Sequence, residues 1–167
     1  MTGAGGRVVV RAGRLDEAAR LDEIARTAKA SWGYPPEWIE RWADELRVDP
    51  RALAADEVFV AEVGGECVGW TSLATTALGP EIAHLWVAPD AQGRGVGRAL
   101  LDAVLREAAR RGWLALRVES DPHAVGFYEA MGGRVVDRVA AHLDGVERWL
   151  PVLEMGTVHR TPGGPAG

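Results

Sequence analysis

The run from Leu85 to Leu101 reads Leu-Trp-Val-Ala-Pro-Asp-Ala-Gln-Gly-Arg-Gly-Val-Gly-Arg-Ala-Leu-Leu. An apolar strand ends at Val87, a turn of Gly and Arg follows, and an amphipathic helix begins near Gly95. Leu100, Leu101, Val104 and Leu105 carry the helical spacing. Such a junction delivers free backbone N–H groups to a helix N-terminus, where the helix dipole also favours an anion. Gly93, Gly95 and Gly97 remove side chains that would hold a phosphate off the backbone, and Arg94 and Arg98 add positive charge beside it. The chemistry expected of this loop is phosphate binding.

Two other phosphate loops do not fit. A Walker loop needs Lys and then Ser or Thr after its last glycine, and Gly97 is followed by Arg98-Ala99. A dinucleotide loop needs G-x-G-x-x-G, but its third glycine falls on Arg98 counted from Gly93, and on Leu100 counted from Gly95. The pattern that fits is Gln-x-x-Gly-x-Gly, at Gln92, Gly95 and Gly97. Here the chain resembles the GNAT superfamily of acyl-CoA-dependent N-acyltransferases. The resemblance implies that Gln92, Gly93, Arg94, Gly95, Val96, Gly97 and Arg98 cradle the pyrophosphate of coenzyme A. It also implies that the backbone at Trp86 and Val87 pairs with the pantetheine arm, as in strand addition.

The segment Phe127-Tyr128-Glu129-Ala130-Met131-Gly132 resembles the family's Phe-Tyr-Glu-x-x-Gly-Phe signature, with Gly133 and Arg134 in place of the closing aromatic. The resemblance makes Tyr128 the general acid for the departing thiolate, since a phenol of ordinary pKa ~10 is protonated at neutral pH. In the turn Ser120-Asp121-Pro122-His123-Ala124, Asp121 or His123 stands where many members carry an Asn that contacts pantetheine. The general base is open among three readings: Glu81, whose offset from the loop matches the base of the histone-modifying branch; His84, whose ordinary pKa ~6.5 suits base work; or no side chain at all. Glu81 and Val87 lie an even number of residues apart, so a regular strand puts them on one face and His84 on the other. The family's expected bulge in this strand makes that alternation unsafe.

The resemblance implies an acceptor at the junction of the first two helices, Ala30 to Trp38, where Trp32 and Tyr34 could hold an apolar or cationic group. Trp38 and Trp42, one helical turn apart, read as core. Aminoglycoside, polyamine, amino-acid and peptide-terminus acceptors all remain open.

These residues need a scaffold. The sequence predicts a strand at 8–11, a helix at 15–30 and a second helix from Pro35-Pro36 to Asp49-Pro50. Strands follow at 58–63, 67–77 and 81–87, then the loop and a helix to Arg111. A strand at 113–119, a helix at 122–131 and a hairpin of 134–143 with 146–155 about Asp144-Gly145 complete it. This is the element order of the GNAT fold: α/β (α+β), with a mixed, mostly antiparallel sheet of about seven strands, about four helices and one parallel pair across the glycine-loop crossover. The 167 residues suit one domain, 1–167, with a core over about 7–155 and 156–167 as a disordered tail.

A net charge of −5 argues against a nucleic-acid partner. The single Cys67 excludes an internal disulfide and a cysteine-based zinc cluster, and no metal is expected. No stretch reaches the ~20 apolar residues of a membrane span. With no signal peptide in view, a cytoplasmic protein without membrane partners is expected. The apolar last strand, with Trp149, Leu150, Val152 and Leu153, could support a homodimer or be core. The functional expectation is an N-acetyltransferase moving acetyl from acetyl-CoA to a primary amine of a small molecule or peptide. The alternative is a non-catalytic acyl-CoA sensor.

Overall fold

A computed structural model of the chain describes residues 6–157. Among them, seven strands form one sheet: β1 (Val8–Ala12), β2 (Val58–Val63), β3 (Glu66–Thr76), β4 (Gly79–Val87), β5 (Ala115–Glu119), β6 (Arg134–Leu143) and β7 (Val146–Gly156). Their spatial order is β1-β2-β3-β4-β5-β7-β6. Every neighbouring pair is antiparallel except β4 with β5. The helices are α1 (Ala18–Ala30), α2 (Pro36–Arg41), α3 (Pro50–Ala54), α4 (Val96–Arg110) and α5 (Val125–Ala130).

Helices cover both faces of the sheet. The stripe Leu21, Ile24, Ala25 and Ala28 of α1 is buried, and the Trp70 indole of β3 donates to the Leu21 carbonyl at 2.8 Å. On the other face α4 buries Val96, Leu100, Leu101, Val104, Leu105 and Ala108. Gly69 allows that approach: a Cβ there would stand 2.9 Å from the Trp86 carbonyl oxygen and 3.0 Å from a Val96 methyl. No real Cβ tolerates such contacts with backbone, so the residue is fixed by packing rather than by its dihedrals.

The parallel pair is where the sheet opens. β4 and β5 share one register pair, Glu81 with Arg117. β4 continues to Val87, so its edge beyond Glu81 has no ladder partner on the β5 side. The turn before α5, and α5 itself, stand across the notch that results.

Four sequence expectations change. The second helix stops at Arg41 rather than reaching Asp49, and Asp49-Pro50 opens α3 as well as closing what precedes it. The Asp49 carboxylate caps the Arg51 N–H at 2.9 Å with Pro50 in the first turn, so the dipeptide acts as a start signal. The helix expected from Pro122 begins at Val125, which leaves Asp121 and His123 in a turn. The tail does not begin at 156. Gly156 closes β7, and Thr157 is buried with its hydroxyl on the Trp113 carbonyl at 2.7 Å. Residues 158–167 lie outside the described part. Of the apolar last strand, Val152 and Leu153 are core, while Trp149 is exposed with Arg138 over its ring at 4.6 Å. Among the described residues no helix is long and apolar enough to cross a membrane.

Candidate active site

The glycine loop links β4 to α4 through a short turn at Pro89–Ala91. Gly93 and Gly95 have φ of 78° and 79°, and a Cβ on either would meet nothing within 4 Å. The positive φ explains why glycine stands there, and the open space leaves the backbone reachable. The Ala99 N–H takes the Gly95 carbonyl at 3.0 Å as the first helical bond. The N–H groups of Val96, Gly97 and Arg98 precede it at the helix end. Gly97 serves another purpose: a Cβ there would lie 3.3 Å from the Phe127 ring, so its absence lets α4 close on α5.

The loop forms one end of a cavity of about 380 Å³. Gln92, Gly93, Gly95, Val96, Gly97 and Arg98 line this end, Leu85, Trp86 and Val87 of β4 line one side, and Ala124, Phe127 and Tyr128 the other. Trp32 and His123, stacked on each other, also line the cavity. Of the residues expected at the loop, Arg94 alone is off the wall, exposed to solvent. A diphosphate fits the open backbone of the loop, and an amide-bearing arm fits the unpaired edge of β4. Leu85, Ala124 and Phe127 join the wall without having been singled out in the sequence, because apolar lining looks like core.

Tyr128 is 5% exposed and lines the cavity. No described group hydrogen-bonds its hydroxyl, yet among the described residues no fully enclosed side-chain polar atom lacks a partner. The hydroxyl must therefore open onto the cavity. Burial pushes its pKa up, which keeps the proton on oxygen.

The bulge that the resemblance implied for β4 is present, and it removes the strict alternation. Ser72 pairs with His84 and Leu73 with Ile82, so Ala83 is extra. The bulge reverses the parity: Glu81, His84 and Trp86 pair with Ala74, Ser72 and Trp70, which share one face of β3, and Val87 faces the other way with Gly69. Neither carboxylate nor imidazole reaches the cavity wall. Glu81 sits 3.8 Å from Arg117, and burial with Glu119 nearby raises its pKa against the pull of that arginine. His84 is held behind Trp86, whose indole donates to His84 Nδ1 at 3.1 Å. Burial, with Lys29 nearby, lowers the His84 pKa to about 4, leaving a neutral ring that accepts from Trp86.

Beside the Trp32–His123 stack, five polar side chains from four segments converge. Asp121 Oδ2 accepts from the Tyr34 hydroxyl at 2.8 Å and from Arg148 of β7 at 3.3 Å, and lies 3.7 Å from Lys29 of α1. Asp121 Oδ1 accepts from the His123 backbone N–H at 2.9 Å and lies 2.8 Å from His123 Nδ1. Arg148 also donates to the Tyr34 hydroxyl at 2.6 Å. Burial opposes ionisation of Asp121, but its bonds from His123 and Tyr34 and the charge of Lys29 outweigh that and hold the carboxyl below its usual range. Burial lowers the Lys29 pKa, against the pull of Asp121.

These contacts correct two expectations. The Asp121 carboxylate is committed to this cluster and is not on the cavity wall, so it does not stand in for the pantetheine-contacting Asn. Tyr34 is likewise tied into the cluster, packed edge-on against Trp42 at 5.0 Å, and off the wall. Trp32 does face the cavity, stacked on His123 at 5.3 Å and tilted against Trp86 at 5.7 Å. Nothing in the sequence points to Lys29 or Arg148 as members of this cluster. Lys29 reads as a solitary lysine near a helix end, and Arg148 as a surface residue of a hairpin strand.

The chain is similar to known proteins in sequence and in fold. A peptidyl-lysine N-acetyltransferase, YiaC, from Escherichia coli is 33% identical over 109 residues, covering 64% of this chain and 70% of that protein. Mycothiol acetyltransferase from Amycolatopsis mediterranei is 34% identical over 125 residues; the match covers 66% of this chain and 42% of that longer protein. Among solved structures, a GCN5-related N-acetyltransferase from Rhodopseudomonas palustris superposes with a TM-score of 0.71 at 25% identity, covering 93% of this chain and 98% of that one. The profile of the Acetyltransferase (GNAT) family matches residues 20–133. The chain therefore belongs to the GNAT acetyltransferase family and is an acyltransferase, and acetyl-CoA-dependent N-acetyl transfer is the activity that this membership supports.

Proposed function

We propose that the chain transfers the acetyl group of acetyl-CoA to the primary amine of a small-molecule or peptide acceptor by direct attack on the thioester. The observation that carries this reading is the continuity of one cavity, from the glycine loop, past Tyr128, to the aromatic wall at Trp32 and His123. Acetyl-CoA, when bound, supplies an acyl group already activated as a thioester. The backbone of Gly93 to Gly97, with Gln92 and Arg98, would hold its diphosphate, and the unpaired edge of β4 at Trp86 and Val87 would align its amide-bearing arm. Tyr128, kept protonated by burial, offers its proton to the leaving sulfur. Trp32 and Trp86 present flat apolar surface to the acceptor and exclude water from the reacting carbonyl.

The test combines calorimetric titration with coenzyme A and thiol release from acetyl-CoA over an amine panel. The panel holds a polyamine, an aminoglycoside, free amino acids, and peptides with a lysine or a free α-amino terminus. The lysine peptides are included because a 33% identical relative acts on peptidyl lysine. Release with at least one amine is the expected result. Tight binding without release on any of them would turn the reading toward an acyl-CoA sensor.

A further inference from the structure

We propose that His123, oriented by Asp121, is the general base that takes the proton from the acceptor amine; this rests on the acetyl-transfer reading above. One carboxylate oxygen of Asp121 engages both the His123 backbone N–H at 2.9 Å and the ring Nδ1 at 2.8 Å, which fixes the ring against its own main chain. Trp32 stacks on the ring at an interplanar angle of 6°, and Tyr34 meets it edge-on at 78°. A neutral imidazole carries one N–H, and a carboxylate at Nδ1 places it there. Nε2 keeps the lone pair. It has no partner among the described residues, and His123 lines the cavity that Tyr128 also lines.

The charged and titratable groups facing His123 are Asp121 on its own turn, Tyr34 after α1, and, through Asp121, Lys29 of α1 and Arg148 of β7. Asp121 is thus the positioning residue, and its own place is set from three other segments. The rivals are placed worse. Glu81 is off the wall and beside Arg117, and His84 is buried with its Nδ1 occupied by Trp86.

The step balances as follows. His123 Nε2 takes one proton from the acceptor ammonium, freeing the lone pair that forms the C–N bond to the acetyl carbon. The C–S bond breaks with its electron pair on sulfur, and Tyr128 delivers its hydroxyl proton there. The second proton shed by the new amide nitrogen returns to Tyr128, and His123 releases its own to water. One proton is released per turnover when the amine enters as an ammonium.

The experiment measures kcat/KM against pH for the wild type, His123→Gln and His123→Ala, with acetyl-CoA and the accepting amine from the panel, beside calorimetric titration with coenzyme A. The wild type should show a rate limb on the acid side. Both variants should lose that limb and fall by about 10²–10⁴ at neutral pH, with unchanged coenzyme A affinity. Added imidazole should partly restore His123→Ala, and Asp121→Asn should shift the limb. Nitrogen-15 NMR of the wild type should find neutral His123 protonated on Nδ1 and neutral His84 on Nε2. A limb retained in both variants, with rates within about threefold of wild type, would overturn the assignment while leaving acetyl transfer intact. A loss of coenzyme A affinity matching the loss of rate would overturn it too, making His123 a contact to the pantetheine arm. A wild type that binds coenzyme A and releases no thiol with any amine removes the transfer reading, and the base with it.

Discussion

Replacing Tyr128 with Phe removes one oxygen and leaves the ring in place. The ring packs among Leu101, Leu153 and Met155, so it must be kept if the change is to report on chemistry. Truncation to Ala would cost about 3–5 kcal/mol of stability and confound the result. The hydroxyl itself bonds no described group, so its loss leaves no stranded partner, and unfolding free energy should move by less than about 0.5 kcal/mol. Turnover behaves differently. A positioned general acid is worth roughly 10²–10⁴ in rate, which corresponds to about 2.7–5.5 kcal/mol in the barrier. The two effects are thus separated by several-fold in energy. The assay is thiol release under conditions where chemistry limits the rate, with urea unfolding and coenzyme A titration on the same preparation. Because burial raises the Tyr128 pKa, no loss of rate from its ionisation is expected below the free phenol value near ~10. A Tyr128→Phe enzyme that turns over near the wild-type rate, with intact stability, would refute the acid role and leave positioning as the main source of catalysis.

Three further outcomes are expected. Gly95→Asn, tolerated at φ 79°, should weaken coenzyme A binding by about tenfold or more in calorimetry with little loss of fold, whereas Gly95→Val should add about 1–3 kcal/mol of backbone strain in urea unfolding. His84, ordinarily near 6.5 and held at about 4 in the fold, binds fewer protons folded than unfolded; its contribution is complete above pH 6.5 and lost as pH falls toward 4, by up to about 3 kcal/mol, and His84→Gln should flatten that part of the stability–pH curve. Asp121→Ala leaves Lys29 and Arg148, each with 15% of its side chain exposed, without their carboxylate, and should cost about 3 kcal/mol in unfolding, while Asp121→Asn should cost less.

The glycine loop was legible in the sequence because everything that makes it is local. Strand, glycines and amphipathic helix follow one another, and the φ values at Gly93 and Gly95 match what glycine is for. The element order was legible for the same reason, down to the Asp144-Gly145 hairpin, where both residues have positive φ. The β4 faces were not. One extra residue at Ala83 inverts a period-two argument; the resemblance implied a bulge in this strand, but the residue types do not place it. The Asp121 cluster was not legible either, since Tyr34 and Asp121 are 87 residues apart and Arg148 and Tyr34 are 114 apart. Such pairings depend on the sheet order, which places β7 beside β5. Asp121 was noticed for the right turn, but its carboxylate faces the cluster rather than the cavity, while His123 of the same turn lines the cavity, because residue types do not show which way a side chain faces.

The single register pair between β4 and β5 has a mechanical consequence. β1 to β4 and β5 to β7 are each tied by antiparallel ladders, and the two halves of the sheet share a single register pair while packing side by side under α4. Widening the notch would break no rung of either ladder; α4, which packs on both β4 and β5, and the Asp121 contacts from α1 and β7 would resist it. A long, narrow cosubstrate would thus meet an edge whose hydrogen bonds are free while the ladders on either side stay whole.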